Sequence, residues 1–236
     1  MAPDEVRLHY REELEQLEGR ALDGLDLVVA ALDRTVEAIQ HQDIELAELV
    51  IADDDVIDGR YLEIHQAILT LLATQAPVAT DLRLIAALLH VMKNIERMGD
   101  QCVNIAKLIP LTGHDAPQRS EMVDRIVRMG KQVRMQVLQA KRAFEGRDVE
   151  QARDLVRQDD LVDDLNKECF QIAVEVGEDH DTREWAMTMM LVARALERTG
   201  DNAVDIGEQV AFVVTGLFRE FEDASHPDEP TPTPAP

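Results

Sequence analysis

The sequence predicts an all-α protein built from two tandem three-helix bundles, with six long antiparallel helices. Apolar residues recur every three or four positions through most of the 236 residues, which is the spacing of an amphipathic helix. Aromatic residues make up only 3% of the chain, and β-branched runs with alternating polarity are missing, so the composition favours helices over strands. The pattern of the first half also returns in the second half, so each half should contain the same three helices.

Glycine and proline interrupt the periodic pattern and divide it into helices. In the connection before the third helix, Pro77 closes the loop, and Thr80 or Asp81 is expected to act as the N-cap. Ser120 is expected to cap the fourth helix in the same way. Six helices are predicted from these breaks, over residues 5–41, 43–74, 79–109, 118–145, 148–177 and 183–222.

The stretch IPLTGHDAPQRS at residues 109–120 contains two prolines and a glycine, and it is the predicted boundary between domains. We therefore expect a first repeat over residues 1–112 and a second repeat over residues 113–222. The last stretch, ASHPDEPTPTPAP, has four prolines in its final seven residues. Residues 223–236 are accordingly expected to form a disordered tail.

Two segments of the first half align with two segments of the second half. They occur in the same order along the chain but at two different offsets. AIQHQDIELAELVIADDDVID at residues 38–58 aligns with residues 143–163, at an offset of 105. NIERMGDQCVNIAK at residues 94–107 aligns with ALERTGDNAVDIGE at residues 195–208, at an offset of 101. Two registers in helix order are hard to obtain by coincidence, which indicates tandem repeats. Long helices with short connections are expected to pack antiparallel, crossing at about +20°.

Two rows of acidic and amide side chains run along the predicted third and sixth helices. Side chains four residues apart on a helix advance by about 40° around its axis, so three of them form a strip beside the apolar stripe. The first ladder is Glu96, Asp100 and Asn104, and the second ladder is Glu197, Asp201 and Asp205. The preceding helices carry pairs of aspartates at the same spacing, Asp54 with Asp58 and Asp159 with Asp163.

Carboxylates stacked four residues apart repel one another, and the repulsion grows when they are partly desolvated. Arg97 and Arg198 project about 100° away from the ladder glutamates they follow, so each is expected to be poorly placed to neutralise its own ladder. A multivalent cation would relieve the repulsion, because carboxylate oxygens suit hard cations and, where several meet, iron, manganese or zinc. Gly99 and Gly200 leave space beside the ladders for an ion cluster or for a neighbouring helix.

A solvated acidic surface is the alternative interpretation of these residues, because an acidic pair is common in so acidic a chain. Duplication together with the repeated glycine and arginine favours metal sites for the ladders. For the four paired aspartates alone, a solvated face and a metal site stay equally open. The seven histidines form no pair at helical spacing and are expected at the surface, while Cys102 and Cys169 are expected to be packing residues.

The net charge of −23 argues against nucleic acid as a direct partner, because phosphate contacts need clustered Lys and Arg. Anionic membrane surfaces would repel the chain too, and no segment approaches the roughly 18 apolar residues of a membrane span. The opening MAPDEVRLHYREELEQLEGR lacks the apolar core of a signal peptide. Two distant cysteines without a signal are typical of reduced thiols, so a cytoplasmic protein with protein partners is expected.

The segments DLRLIAALLHVMKNIERMGDQCVNIAK and ARALERTGDNAVDIGE, together with the aspartates of the second and fifth helices, resemble the PhoU family of bacterial phosphate-uptake regulators. The resemblance covers nearly the whole chain, from the first helix to about residue 218. ERMGD and ERTGD at this spacing in a six-helix chain are specific motifs. The resemblance implies two tandem three-helix bundles, a homodimer, and E/D-x-x-x-D/N motifs that hold multinuclear metal clusters on the bundle surface.

Carried over by position, the family motif falls on the two ladders, and the four paired aspartates complete the sites. The resemblance implies iron as the first candidate metal, with zinc, manganese or magnesium as alternatives. Because the first ladder ends in the neutral Asn104 and the second in Asp205, the two sites need not hold the same metal. The DLR element at residues 81–83 has no clean counterpart in the second half.

The family also implies a function without chemistry of its own. Its members repress phosphate uptake and the phosphate-starvation response by coupling the phosphate ABC transporter to a sensor histidine kinase. We expect the metal-loaded strips to fix the surface that a partner recognises. Two alternatives stay open: a ferritin-like di-metal enzyme, whose Glu-x-x-His motif does not occur in this sequence, and a metal-free helical scaffold.

Overall fold

The computed structural model describes residues 3–112, 120–177 and 179–221, with side chains from residue 8 onwards. These residues form six α-helices and one short 3₁₀-helix, with no strand among them. The expected disordered tail and most of the connection between the halves lie outside the described residues. The helices are α1 (Pro3–His41), α2 (Ile44–Thr74), α3 (Ala79–Leu108), α4 (Ser120–Gly146), α5 (Val149–Val174) and α6 (His180–Thr215), and the 3₁₀-helix (Ile109–Thr112) follows α3.

The six helices predicted from the sequence are confirmed, and the differences lie at their ends. The largest difference is at α6, which stops at Thr215 instead of continuing to residue 222. Gly216 adopts a left-handed conformation with a φ of 76°, and its N–H donates to the carbonyl of Phe212 at 2.8 Å. This geometry ends a helix by satisfying one of its last carbonyls while turning the chain away.

The predicted caps at the starts of α3 and α4 are wrong. Val78 occupies the N-cap position of α3, so Thr80 and Asp81 lie inside its first turn. A valine side chain has no acceptor for the exposed N–H groups, but the acidic Asp81 is favourable near the positive end of the helix dipole. Ser120 is likewise the first residue of α4 instead of the residue before it.

The connections between α1 and α2 and between α4 and α5 have the same backbone geometry. Gln42 and Arg147 both take a φ of 52°, in the left-handed region that few residues other than glycine adopt. The next residues, Asp43 and Asp148, are N-caps whose carboxylates accept hydrogen bonds from N–H groups of the following helix. The two turns are separated by the predicted offset of 105, so the repeat extends to the backbone.

The two halves pack on each other through α1 with α4 and α3 with α6, and their buried apolar residues form one continuous core. α3 and α6 run antiparallel. Arg83 near the start of α3 lies against Gly216 at the end of α6. At the other end of this pair, Trp185 near the start of α6 lines the same small pocket as Ile109, which follows α3. The ladders therefore lie on the two central helices.

The contact between α1 and α4 is close and is flanked by charges. Gly130 on α4 has no room for a Cβ, because the side chain of Val36 on α1 already fills that space. Ion pairs join the two halves beside this contact, and surface ion pairs contribute little stability singly. Among the described side chains, the pairs that join α1 to α4 and its following turn are Asp33 with Arg134, Asp26 with Lys141 and Glu18 with Arg147.

Candidate functional site

Four carboxylates of the first repeat lie close together between α2 and α3. The pKa of Asp54 is raised to about 6, first by burial and then by the charges of Asp58 and Asp100. The pKa of Asp100 is raised by burial and by the charges of Glu96 and Asp58. The ladder on α3 and the paired aspartates on α2 therefore meet at one place. We call this group, Asp54, Asp58, Glu96 and Asp100, the first acidic cluster.

The second repeat brings together the corresponding group between α5 and α6. The pKa of Asp159 is raised to about 7 by burial and by the charges of Asp201 and Asp163, against a hydrogen bond that lowers it. The pKa of Glu197 is also raised to about 7, by burial and by the charge of Asp201. Glu197 is only 7% exposed, so this group is well desolvated. We call Asp159, Asp163, Glu197 and Asp201 the second acidic cluster.

The third member of each ladder has different surroundings. Asn104 is exposed, and its neutral amide takes no part in the repulsion between carboxylates. Burial raises the pKa of Asp205, while the charges of Arg97 and His90 on α3 oppose this shift and Glu220 adds to it. Asp205 therefore lies where α6 meets the first repeat, at the edge of the second acidic cluster.

Each ladder glutamate also has a protein cation that the sequence analysis missed. Lys93 Nζ lies 2.6 Å from Glu96 Oε2 on α3, and Arg194 forms an ion pair with Glu197 on α6. Lys93 and Arg194 are separated by the offset of 101 that relates the two ladders. The signal was present in the sequence as a basic residue three positions before each glutamate, a spacing that places both side chains on one helix face.

Among the described residues, the arginines that follow the ladder glutamates form no ion pair with a ladder carboxylate and act on the ladders through their charge alone. The charge of Arg198 lowers the pKa of Asp201, but by less than the charge of Arg194 does. Arg97 acts instead on Asp205 of the other repeat. The charge of Arg97 therefore acts across the contact between α3 and α6, which a helical projection of one helix does not show.

The two ladder glycines allow the neighbouring helix to approach. A Cβ on Gly99 would lie 3.0 Å from Asp54 Oδ1 and 3.1 Å from Ile57 Cδ1. A Cβ on Gly200 would lie 2.6 Å from Asp159 Oδ1. Both positions are thus occupied by side chains of the preceding helix, and in both an aspartate oxygen stands over the bare Cα of the glycine.

Gln136 on α4 is a further residue of the second site that sequence reasoning missed. It is fully buried, and its Nε2 donates to Asp159 Oδ1 at 3.0 Å. At the offset of 105 the first repeat has Ala31 in this place, and a cavity of about 160 Å³ lies there, lined by Ala31, Asp54 and Gly99 among others. No sequence signal marked Gln136, because it lies alone on a helix without a ladder.

The second acidic cluster has the chemistry of an oxygen-ligated cation site. Within the described part of the chain, the buried atoms Glu197 Oε2 and Gln136 Oε1 have no hydrogen-bond partner. Buried oxygens beside mutually repelling carboxylates match the ligands of hard cations. Over those same residues, no three His, Cys, Asp or Glu side chains stand in an arrangement that holds a metal ion. Binding would therefore require rotation of the carboxylate side chains.

The length and apolarity of helices decide whether they can cross a bilayer. Across residues 3–112, 120–177 and 179–221, none of them meets the requirements of a membrane span.

The sequence of this chain is similar to known proteins over nearly its full length. The model of the PhoU domain matches residues 23–109 and residues 126–210. The chain is 30% identical over 220 residues to the phosphate-specific transport system accessory protein PhoU homolog of Clostridium acetobutylicum, covering 92% of this chain and 100% of that protein.

Two crystal structures have the same fold. PhoU from Pseudomonas aeruginosa superposes with a TM-score of 0.81 at 29% identity, over 88% of this chain and 100% of that one. The phosphate transport system regulatory protein PhoU from Streptococcus pneumoniae gives a TM-score of 0.82 at 23% identity, over 89% and 99%. The latter shows likeness of fold alone.

Proposed function

Because this chain belongs to the PhoU family, we propose that it is an accessory protein of phosphate transport that acts as a negative regulator of phosphate uptake. The observation that carries the proposal is the match of both repeats, residues 23–109 and residues 126–210, to the PhoU domain. Its partners in this role are the phosphate ABC transporter and a sensor histidine kinase, which it couples. The chain acts through binding and has no catalytic role.

Metal binding is the second part of the proposal. Each acidic cluster holds a multinuclear metal centre, with iron as the first candidate and zinc, manganese or magnesium as alternatives. The support is electrostatic: burial and mutual repulsion raise the pKa of Asp54 to about 6 and the pKa values of Asp159 and Glu197 to about 7. A bound cation offsets both effects, so these residues favour it over an empty site.

The metal centres would act by joining helices. The first acidic cluster spans α2 and α3, and the second spans α5 and α6, so each bound ion cross-links an outer helix to a central one. α2 and α5 also carry exposed apolar residues at matching positions, Val56 with Leu161 and Leu69 with Val174. A partner, or the second copy of the chain in a homodimer, would contact these helices. Metal binding would fix the surface that is contacted.

The cytoplasm is the proposed location. Cys102 and Cys169 are the only cysteines in the sequence, and both are buried and free. Burial raises the pKa of the Cys102 thiol to about 12 and that of Cys169 to about 11. Both thiols are thus protonated packing groups, which agrees with a reducing compartment.

The regulatory role is tested by deleting the gene in the bacterium that encodes this chain. The expected result is that phosphate-transport genes stay active in rich phosphate, and that the wild-type gene restores their repression. The deletion strain is also complemented with a variant gene in which Glu96, Asp100, Glu197 and Asp201 are changed to Ala, for comparison with the wild-type gene. Normal repression in the deletion strain would contradict the regulatory role.

The metal-dependent part of the proposal needs a separate measurement. The affinity of the metal-loaded protein for the transporter ATPase subunit or for the kinase is compared with that of the four-alanine variant. Docking that depends on metal predicts weaker binding by the variant. Equal affinities would refute the metal mechanism and leave the regulatory role intact.

A metal-free scaffold is the second candidate, and one observation favours it. Lys93 and Arg194 already pair with Glu96 and Glu197, so part of the repulsion is relieved by the protein itself. Elemental analysis of protein purified without chelators separates the two candidates. Stoichiometric metal supports the metal centres, and its absence supports the scaffold.

A further inference from the structure

Gln136 is fully buried on α4, although it carries a polar side chain, which lies against Asp159 on α5 and Gly200 on α6. One end of its amide is used, because Nε2 donates to Asp159 Oδ1 at 3.0 Å. The other end is not: among the described residues, Oε1 has no hydrogen-bond donor within reach. A buried carbonyl oxygen without a partner costs free energy, and each such group calls for an explanation such as an ion.

The unpaired oxygen is directed into the second acidic cluster. A Cβ placed on Gly200 would lie 3.1 Å from Gln136 Oε1 and 2.6 Å from Asp159 Oδ1. Two acceptor oxygens therefore converge over the bare Cα of Gly200. Glu197 Oε2, on the same helix as Gly200, is a third buried oxygen with no partner in the described structure. Asp159 Oδ1 accepts from Gln136 Nε2, but Gln136 Oε1 and Glu197 Oε2 have no donor within the described structure. Buried oxygens without donors are the environment that a cation satisfies.

The first repeat lacks this arrangement. A Cβ on Gly99 would meet one oxygen, Asp54 Oδ1 at 3.0 Å, and two carbons of Ile57 at 3.1 and 3.2 Å. Ala31 stands where the second repeat has Gln136, and it lines the cavity of about 160 Å³ beside Asp54. The two acidic clusters have the same carboxylates but differ by one neutral oxygen.

We propose that Gln136 is a cation ligand specific to the second acidic cluster, where its amide oxygen joins the carboxylates around a hard divalent ion such as Mn²⁺. The inference rests on the metal binding proposed above. A neutral amide oxygen adds a ligand without adding another negative charge, and all-oxygen sites suit Mg²⁺, Ca²⁺ and Mn²⁺. The Nε2 hydrogen bond meanwhile holds Asp159 in place, as the outer partners of metal ligands do. The second acidic cluster therefore binds Mn²⁺ more tightly than the first.

The test isolates each cluster and titrates it with Mn²⁺ by isothermal calorimetry. Protein carrying Glu96→Ala and Asp100→Ala retains the second cluster, and protein carrying Glu197→Ala and Asp201→Ala retains the first. Adding Gln136→Met, which keeps the length of the side chain but removes the hard oxygen, should weaken Mn²⁺ binding to the second cluster by about tenfold or more. The same change should leave the first cluster unaffected.

Two further variants control for folding and for position. Gln139→Met removes a glutamine from the same helix that donates to Asp154 instead, and it should leave the Mn²⁺ affinity unchanged. Gln136→Glu retains an oxygen at the site and should bind Mn²⁺ at least as tightly as Gln136. If Gln136→Met does not fold, as judged by circular dichroism, the Gln136→Glu variant decides, because a tenfold loss of affinity there would overturn the inference.

The outcomes separate this inference from the function on which it rests. If the isolated second cluster binds no Mn²⁺, the proposed metal centre fails at this position and the inference fails with it. If it binds Mn²⁺ and Gln136→Met binds equally well, only the role of Gln136 is refuted. Tenfold weaker binding that is confined to the second cluster supports both.

Discussion

Arg83, near the start of α3, packs against Gly216, which ends α6, so closely that a Cβ on Gly216 would overlap the guanidinium. Gly216 also has a φ of 76°, a left-handed conformation that L-residues adopt only at a cost. This contact gives a role to the DLR element of the first half. Arg83 belongs to it and reaches the end of the helix that carries the second ladder.

Gly216→Ala should therefore destabilise the protein by about 1–3 kcal/mol, through the left-handed backbone and the displaced arginine. The measurement is the free energy of unfolding in urea. Gly59→Ala is the matched control, because Gly59 lies inside α2 with no described atom within 4 Å of an added Cβ. That substitution should stabilise the protein by about 0.5–1 kcal/mol. Equal effects of the two changes would contradict the contact.

Gly200→Ala should also destabilise the protein, although alanine is the better helix former. Alanine gains about 1 kcal/mol in helix propensity, but its Cβ would lie 2.6 Å from Asp159 Oδ1, and such overpacking costs about 1–3 kcal/mol. The control is Gly19→Ala in α1, where the described structure leaves open space. Urea unfolding should show a loss of about 1 kcal/mol for the first variant and a gain for the second. A gain for both would show that Asp159 yields freely.

Without metal, stability should fall as the pH rises from about 5 to 8. The pKa values of Asp159 and Glu197 are both raised to about 7, from 3.8 and 4.5 in the unfolded chain. Between the unfolded and folded values the folded protein holds more protons than the unfolded chain, so each step up in pH favours unfolding. The loss should be on the order of 1 kcal/mol or more for each carboxyl.

Urea unfolding in the presence of a chelator, at half-unit steps of pH, measures this slope. The lowered pKa values of Asp148, Asp154 and Asp179 act in the opposite direction, but only below about pH 4 and thus outside the window. The control combines Asp159→Asn with Glu197→Gln, which should make the slope shallower. Stability that rises with pH in this window would show that these carboxyls are not desolvated.

Ala31→Gln should give the first acidic cluster the tighter Mn²⁺ binding that is proposed for the second. The new side chain enters the cavity of about 160 Å³ beside Asp54 and places an amide where Gln136 stands in the other repeat. With the second cluster disabled by Glu197→Ala and Asp201→Ala, this change should tighten Mn²⁺ binding by about tenfold. Ala31→Leu fills the cavity without an amide and should not. Calorimetry that gives equal affinities for the Gln and Leu variants would contradict a ligand role for the amide.

Much of the fold and part of the site could be predicted because their signals are local in the chain. Helical periodicity placed α1 to α6, and the two offsets of the repeat paired the ladders and the aspartates that precede them. The structure then brings Asp54 to Glu96 and Asp100, and it brings Asp159 to Glu197 and Asp201. Bundles of antiparallel helices leave few other ways to bury the apolar stripes that border these residues.

The members of the site that were missed depend on contacts between helices. Gln136 looks like any polar residue on α4 until α5 and α6 cover it, and only then does its oxygen lose access to water. Asp205 was predicted as a ladder member from its spacing, but the charges of Arg97 and His90 that act on it from α3 could not be predicted in that way. Lys93 and Arg194 were the exception, since their spacing from the glutamates is a pattern within one helix.

The amino-acid sequence determined by itself where the helices lie, that they form a repeat, and which faces carry acid, because each of these follows from spacing along a single helix. Tertiary structure alone decided which of the acidic residues are desolvated and why two nearly identical clusters differ. Those properties depend on side chains that are brought together from distant parts of the chain. The periodicity of apolar residues within one helix does not indicate which atoms of different helices will exclude water from one another.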